Sequence, residues 1–129
     1  MSVQRVRDLV FRKPSAADGQ ALHILVRECA PLDENSLYCN LLQCHMWADT
    51  SIVAVLDDQL VGAVTGFRKP DDPSTVFIWQ VAVHPRRRGC GLGQHMLSEL
   101  VTRLGSSLNA METTISPGNA ASENTFLKL

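Results

Sequence analysis

No stretch of the 129-residue chain approaches the roughly 20 consecutive apolar residues that a membrane span needs. The opening "MSVQRVRDLVFRKP" also lacks the apolar run of a secretory signal. Charge of one sign is missing too: 12 Lys and Arg against 13 Asp and Glu leave a formal net charge of -1, which argues against a protein that coats nucleic acid. With 45% hydrophobic and 19% charged residues, disorder is not expected either. These absences lead us to expect a cytoplasmic globular protein with no membrane or nucleic-acid partner. The length suits a single domain over residues 1–129. Cysteine is sparse, and Cys29, Cys39, Cys44 and Cys90 fit no zinc-ligand spacing. We therefore expect no metal and four reduced thiols.

The hydrophobic period divides what remains. Residues 8–14, "DLVFRKP", predict a strand ended by Pro14. Ser15 suits an N-cap, and Asp18 places charge in the first turn of a helix that carries Leu22, Leu25, Val26 and Cys29 at helical spacing. Pro31 stops it. A second helix is predicted over 35–48, with Leu37, Leu41, Leu42, His45 and Met46 as its buried stripe. The period then shortens. Two β-branched runs, 50–56 and 59–68, flank the turn "DDQ" and read as a hairpin. After the loop "DDPS", a third strand is predicted over 75–83, and the nearly continuous apolar character of its run "VFIWQVAV" suits a central strand covered on both faces. A helix follows from Gly93, with Met96, Leu97, Leu100, Val101 and Leu104 as its stripe and Gly105 as its C-cap. "AMETTIS" predicts a last strand, with a parallel return to the sheet, and "NAASENTFLKL" opens one more helix. The order is β-α-α-β-β-β-α-β-α, an α+β (mixed α/β) fold with a mixed, mostly antiparallel sheet flanked by helices.

One short stretch carries chemistry. "HPRRRGCGLGQHML", 84–97, joins a strand to a helix through Gly89, Gly91 and Gly93, with Arg86, Arg87 and Arg88 just before them. A helix N-terminus offers unpaired N–H groups and partial positive charge, and glycines let an anion approach them. A nucleoside triphosphate in a P-loop requires Gly-Lys-Ser/Thr, which is absent. A dinucleotide requires G-x-G-x-x-G. Gln94 occupies the sixth place here, and although Glu112 follows about 20 positions on, the preceding hairpin and the short remaining chain do not suit a doubly wound sheet. The diphosphate of coenzyme A is the third candidate. Arg86 and Arg87 either attract its phosphates or form a solvated basic turn.

The segment "VAVHPRRRGCGLGQHML" resembles the acyl-CoA-binding segment of the GNAT superfamily of N-acetyltransferases, with Arg88-Gly89-Cys90-Gly91-Leu92-Gly93 matching its Gln/Arg-x-x-Gly-x-Gly/Ala pattern. "PLDENSLYCNLLQCHMWADTSIVA", "FIWQVAVHP" and "TISPGNAAS" are similar to the L-2,4-diaminobutyrate acetyltransferases of ectoine (compatible solute) biosynthesis within it. The resemblance implies the acyl-CoA N-acyltransferase fold and transfer of acetyl from acetyl-CoA to the 4-amino group of diaminobutyrate. It also implies a homodimer, as is common in the family. Carried over, the amides of Arg88 to Gly93 bind the diphosphate, the backbone of Gln80, Val81, Ala82 and Val83 pairs with the pantetheine arm, and Asn119 contacts that arm or caps a helix. The family usually continues with strands after its fourth helix. The sequence stops at Leu129, so those final strands are expected to be lacking.

An acceptor with two ammonium groups wants acids and an aromatic face. Asp33, Glu34 and Tyr38 lie where the family places its acceptor, and Trp79 on the central strand either walls the pocket or packs in the core. Deprotonating an amine of pKa about 10.4 at pH 7 costs about 4.6 kcal/mol, so a base is the first need. No His or Glu lies on the central strand, and we expect a water chain to Asp33 or Glu34. A backbone N–H near Val81 is expected to meet the thioester oxygen. Many family members place a tyrosine acid where this chain has Phe126, leaving leaving-group protonation to water or to Tyr38, the only tyrosine. The alternatives are an acetyltransferase for another amino acid, polyamine or protein amine, or a CoA-binding module without catalysis.

Overall fold

The structure is a computed structural model that describes residues 9–29 and 36–114. Strand β1 (Leu9–Arg12) runs antiparallel to β2, with Leu9 opposite Leu56. Ser15 N–H then donates to the Asp18 carboxylate at 2.7 Å, and Arg12 grips the same carboxylate through two bonds of 2.8 and 2.9 Å. This holds the 3-10 turn Ala16–Asp18 that leads into helix α1 (Gly19–Glu28). The expected N-cap is therefore real, though it caps the 3-10 turn rather than the α-helix. Leu22, Leu25, Val26 and Cys29 are buried as the spacing predicts.

Helix α2 (Leu37–Met46) is capped by the Ser36 hydroxyl, which accepts from Cys39 N–H at 3.0 Å. Its buried face is not the predicted one. Asn40, Gln43 and Cys44 point inward, while Leu37, Leu42 and Met46 are exposed at 44%, 39% and 69%, and His45 is exposed as well. The reason is local to the α1–α2 crossing. A Cβ on Gly19 would come within 2.9 Å of Leu41 Cα, so the helices touch backbone to backbone there. Asn40 Oδ1 accepts from His23 Nδ1 of α1 at 2.9 Å. Both contacts lie on one side of α2 and fix its rotation.

The sheet has five strands in the order β1-β2-β3-β4-β5. Strands β2 (Ile52–Leu56) and β3 (Gln59–Lys69) form the expected hairpin, and its turn puts both Asp57 and Asp58 at positive φ, 51° and 63°. That is the requirement of a type I′ turn, met here by aspartates in place of Asn-Gly. Strand β4 (Asp72–Val83) begins earlier than "VFIWQVAV" and pairs antiparallel with β3. It is not the strand covered on both faces. That strand is β3, buried without a break from Val61 to Gly66, whereas Trp79 on β4 is 46% exposed. Helix α3 (Leu92–Leu104) packs Leu92, Met96, Leu97 and Leu100 on one side of the sheet, with Val101 left exposed. It returns the chain to β5 (Ala110–Thr113), parallel to β4 as expected. A second core, from Leu22, Leu25, Val26, Cys29 and Cys44 with Val53, Ala63 and Ala82, lies under α1 and α2. The helix predicted from Asn119 onward falls outside the described residues.

Candidate acyl-donor site

Two irregularities meet on β4. The β3–β4 register steps from Thr65–Gln80 to Gly66–Ile78, which makes Trp79 the extra residue of a β-bulge. Gly66 permits the step, since a Cβ there would lie 2.7 Å from the Phe77 carbonyl oxygen. On the other side, the parallel register with β5 ends at Ile78–Thr113. Trp79 to Val83 therefore run on past the described end of β5, with Val81 and Val83 half-buried. The bulge turns the Trp79 ring edge-on to Trp47 at 6.0 Å, and Trp47 stacks at 4.8 Å on Phe67, itself 5.5 Å from Phe77.

The anion turn follows directly. Pro85–Arg87 form a 3-10 turn, Arg88 is extended, and Gly89 and Gly91 take left-handed φ values of 84° and 78°. A Cβ at either glycine meets nothing within 4 Å. Their conformation thus needs glycine, and the space above them is clear for a ligand. Gly91 is the N-cap of α3 and supplies no capping side chain, so the first turn of the helix keeps its donors and its positive dipole end. Gly93 differs from the other two: it is buried inside the first turn of the helix.

Arg88 Nε donates to the Val83 carbonyl at 3.3 Å, and the Cys29 thiol donates to the same oxygen at 3.2 Å. Burial raises the Cys29 pKa, with the Arg88 hydrogen bond pulling weakly the other way. Cys90 is exposed in the turn and donates to the Arg87 carbonyl at 2.8 Å. Arg86 and Arg87 are exposed and line a cleft of about 870 Å³ shared with Ile24, Glu28, Asp58 and His84. Tyr38 is 70% exposed at the start of α2. Asp33, Glu34, Asn119 and Phe126 lie outside the described residues. Among those described, no cluster of His, Cys, Asp and Glu could hold a metal, and no helix is long and apolar enough to cross a membrane. Sequence reasoning missed the bulge at Trp79, for which Gly66 on the partner strand was the available signal. It also passed over His84, whose Nε2 stands 3.1 Å from Glu28 Oε2.

Residues 19–129 match the acetyltransferase (GNAT) family. The chain belongs to that family. Within it, the chain is 46% identical over 121 residues to the L-2,4-diaminobutyric acid acetyltransferase of Vibrio cholerae, covering 93% of this chain and 70% of that one. Identity to the protein of the same name from Methylotuvimicrobium alcaliphilum is 44%, covering 88% of this chain and 67% of that one. Among solved structures, the diaminobutyrate acetyltransferase of Paenibacillus lautus, in complex with L-2,4-diaminobutyric acid and coenzyme A, superposes with a TM-score of 0.86 at 37% identity. The match covers 93% of this chain and 73% of that one. The GNAT loading domain of CurA from Lyngbya majuscula, at 17% identity and a TM-score of 0.72, shows the fold alone.

Proposed function

We propose that this GNAT chain transfers the acetyl group of acetyl-CoA to the 4-amino group of L-2,4-diaminobutyrate, a step of ectoine formation. One observation carries the reading: a strand whose described pairing with β5 ends at Ile78 runs straight into an uncapped helix N-terminus fronted by two left-handed glycines. That arrangement fits an acyl-CoA diphosphate with its arm along the strand. The acceptor is argued from relatives at 44–46% identity that carry this name, and from the Paenibacillus lautus structure.

In this reading the amides of Arg88 to Gly93 hold the diphosphate, and Gln80 to Val83 align the arm. Acetyl-CoA supplies the activated thioester. Trp79, half-exposed on the bulge, forms an aromatic wall against an ammonium group. Asp33 and Tyr38 bind the acceptor, and water leading to Asp33 or Glu34 takes the proton whose removal costs about 4.6 kcal/mol. Asn119 reaches the pantetheine arm. A backbone N–H near Val81 meets the thioester oxygen, a donor already oriented before charge develops there. Residues 1–129 act as one domain in the cytoplasm, as a homodimer, and the exposed Leu37, Leu42 and Met46 are in keeping with a covered face.

The test is a thiol-release assay with acetyl-CoA and a panel of amines. Turnover with diaminobutyrate and not with lysine is the expected result. CoA binding without turnover of any amine would leave only a binding module, and turnover of another amine would reassign the acceptor.

A further inference from the structure

We propose that His84 is a positioning residue for the phosphate-binding turn, held in place by Glu28 of α1; this rests on the acyl-CoA reading above. Both ring nitrogens are engaged. Nδ1 accepts the Arg86 backbone N–H at an N···N distance of 3.2 Å, and Nε2 stands 3.1 Å from Glu28 Oε2. An imidazole nitrogen that accepts carries no hydrogen, so the Nε2–H tautomer is selected and donates to the carboxylate. The main chain of His84 is tied as well: its N–H donates to the Val61 carbonyl at 2.8 Å, and its carbonyl accepts from Arg87 N–H at 2.8 Å. One residue thus joins the end of β4, the β2–β3 hairpin and α1, and caps the 3-10 turn from which Arg88 to Gly91 depart. The ring is 29% exposed, partly shielded from competing water. The effect of these bonds is to fix the direction in which the turn's amides face, so the ordering cost is met before binding.

The alternative is an ordinary surface His–Glu pair of little consequence. Asparagine separates the two, because its Oδ1 can replace Nδ1 as the Arg86 acceptor while losing Glu28. His84→Ala is expected to raise the KM for acetyl-CoA about tenfold with kcat held within about twofold, as befits loss of a capping acceptor. His84→Asn is expected to return KM to within about threefold of the parent, and Glu28→Gln, which keeps an acceptor for Nε2–H, to change it less than His84→Ala does. Hydrogen exchange in the ligand-free protein gives a readout independent of catalysis: amides 86–91 should exchange faster in His84→Ala and fall most of the way back toward the parent rate in His84→Asn, which keeps the cap but loses Glu28. An unchanged KM and exchange rate in His84→Ala would overturn the proposal, as would an Asn variant no better than Ala. If the parent binds no CoA, the functional reading fails instead, while the exchange comparison still decides the role of His84.

Discussion

Helices α2 and α3 carry equally plausible apolar stripes in sequence, yet only α3 buries most of its own, Val101 excepted. In α3, Met96, Leu97 and Leu100 are all fully covered. In α2, Leu37, Leu42 and Met46 face outward, and the polar Asn40 and Gln43 go in. The difference teaches that periodicity identifies a helix but does not choose its face when a competing contact is strong. α3 lays its apolar stripe on an apolar sheet face, and its polar contacts, such as Arg103 to the Asp49 carbonyl, agree with that rotation rather than compete with it. α2 meets α1 across a glycine and a His23–Asn40 bond, and these outweigh its own leucines.

The comparison can be broken most decisively by truncation. Leu97→Ala should cost about 3 kcal/mol of unfolding free energy in urea titrations, as full deletion of a core leucine does, whereas Leu42→Ala should cost under about 1 kcal/mol. Equal losses would mean that α2 is turned the other way. Next, Asn40→Ala leaves His23 Nδ1 without its partner in a covered site and should lose about 2 kcal/mol. If Asn40 were instead the outward face, the same change would be nearly silent.

At the N-terminus of α3, Gly91→Ala forces an alanine into the left-handed region at a cost of about 1 kcal/mol. Part of that strain should appear as a raised KM for acetyl-CoA, measured beside the melting temperature. Thiol reactivity sharpens the contrast in burial. The Cys44 thiol is pushed up to about 11 by burial, so a disulfide reagent at pH 8 should label exposed Cys90 quickly and Cys44 only on unfolding. Acetyl-CoA should slow the labelling of Cys90.

The smallest effect concerns acid. The Arg12 hydrogen bonds hold the Asp18 carboxyl below the usual range, so its contribution to stability is present at neutral pH and is lost as pH falls below about 4 and through its folded value. Asp18→Asn should flatten that part of the pH–stability profile, with a loss at pH 7 of about 1 kcal/mol or less.

Much of the fold was legible because its signals are local. The β-branched runs around Asp57-Asp58, the stripes of α1 and α3, and the glycines between β4 and α3 each act within a few residues. The turn at Gly89 and Gly91 was legible for the same reason, since a left-handed backbone at a helix start leaves a mark in composition. The early start of β4 was not, because Pro73 and Ser74 read as loop until β3 supplies a partner strand. The acid pair at Asp33 and Glu34 was named from resemblance alone.

The sequence by itself determined the element order through the last described strand, the uncapped donor end of α3 and, through its resemblance, membership in an acetyl-transferring family. Those properties rest on backbone preferences and hydrophobic periods that neighbouring residues set between themselves. Only the tertiary structure decided the rotation of α2, the bulge that exposes Trp79 and the tethering of His84 to Glu28. Each depends on groups distant in the chain meeting at a particular register, and a one-dimensional pattern cannot express that geometry.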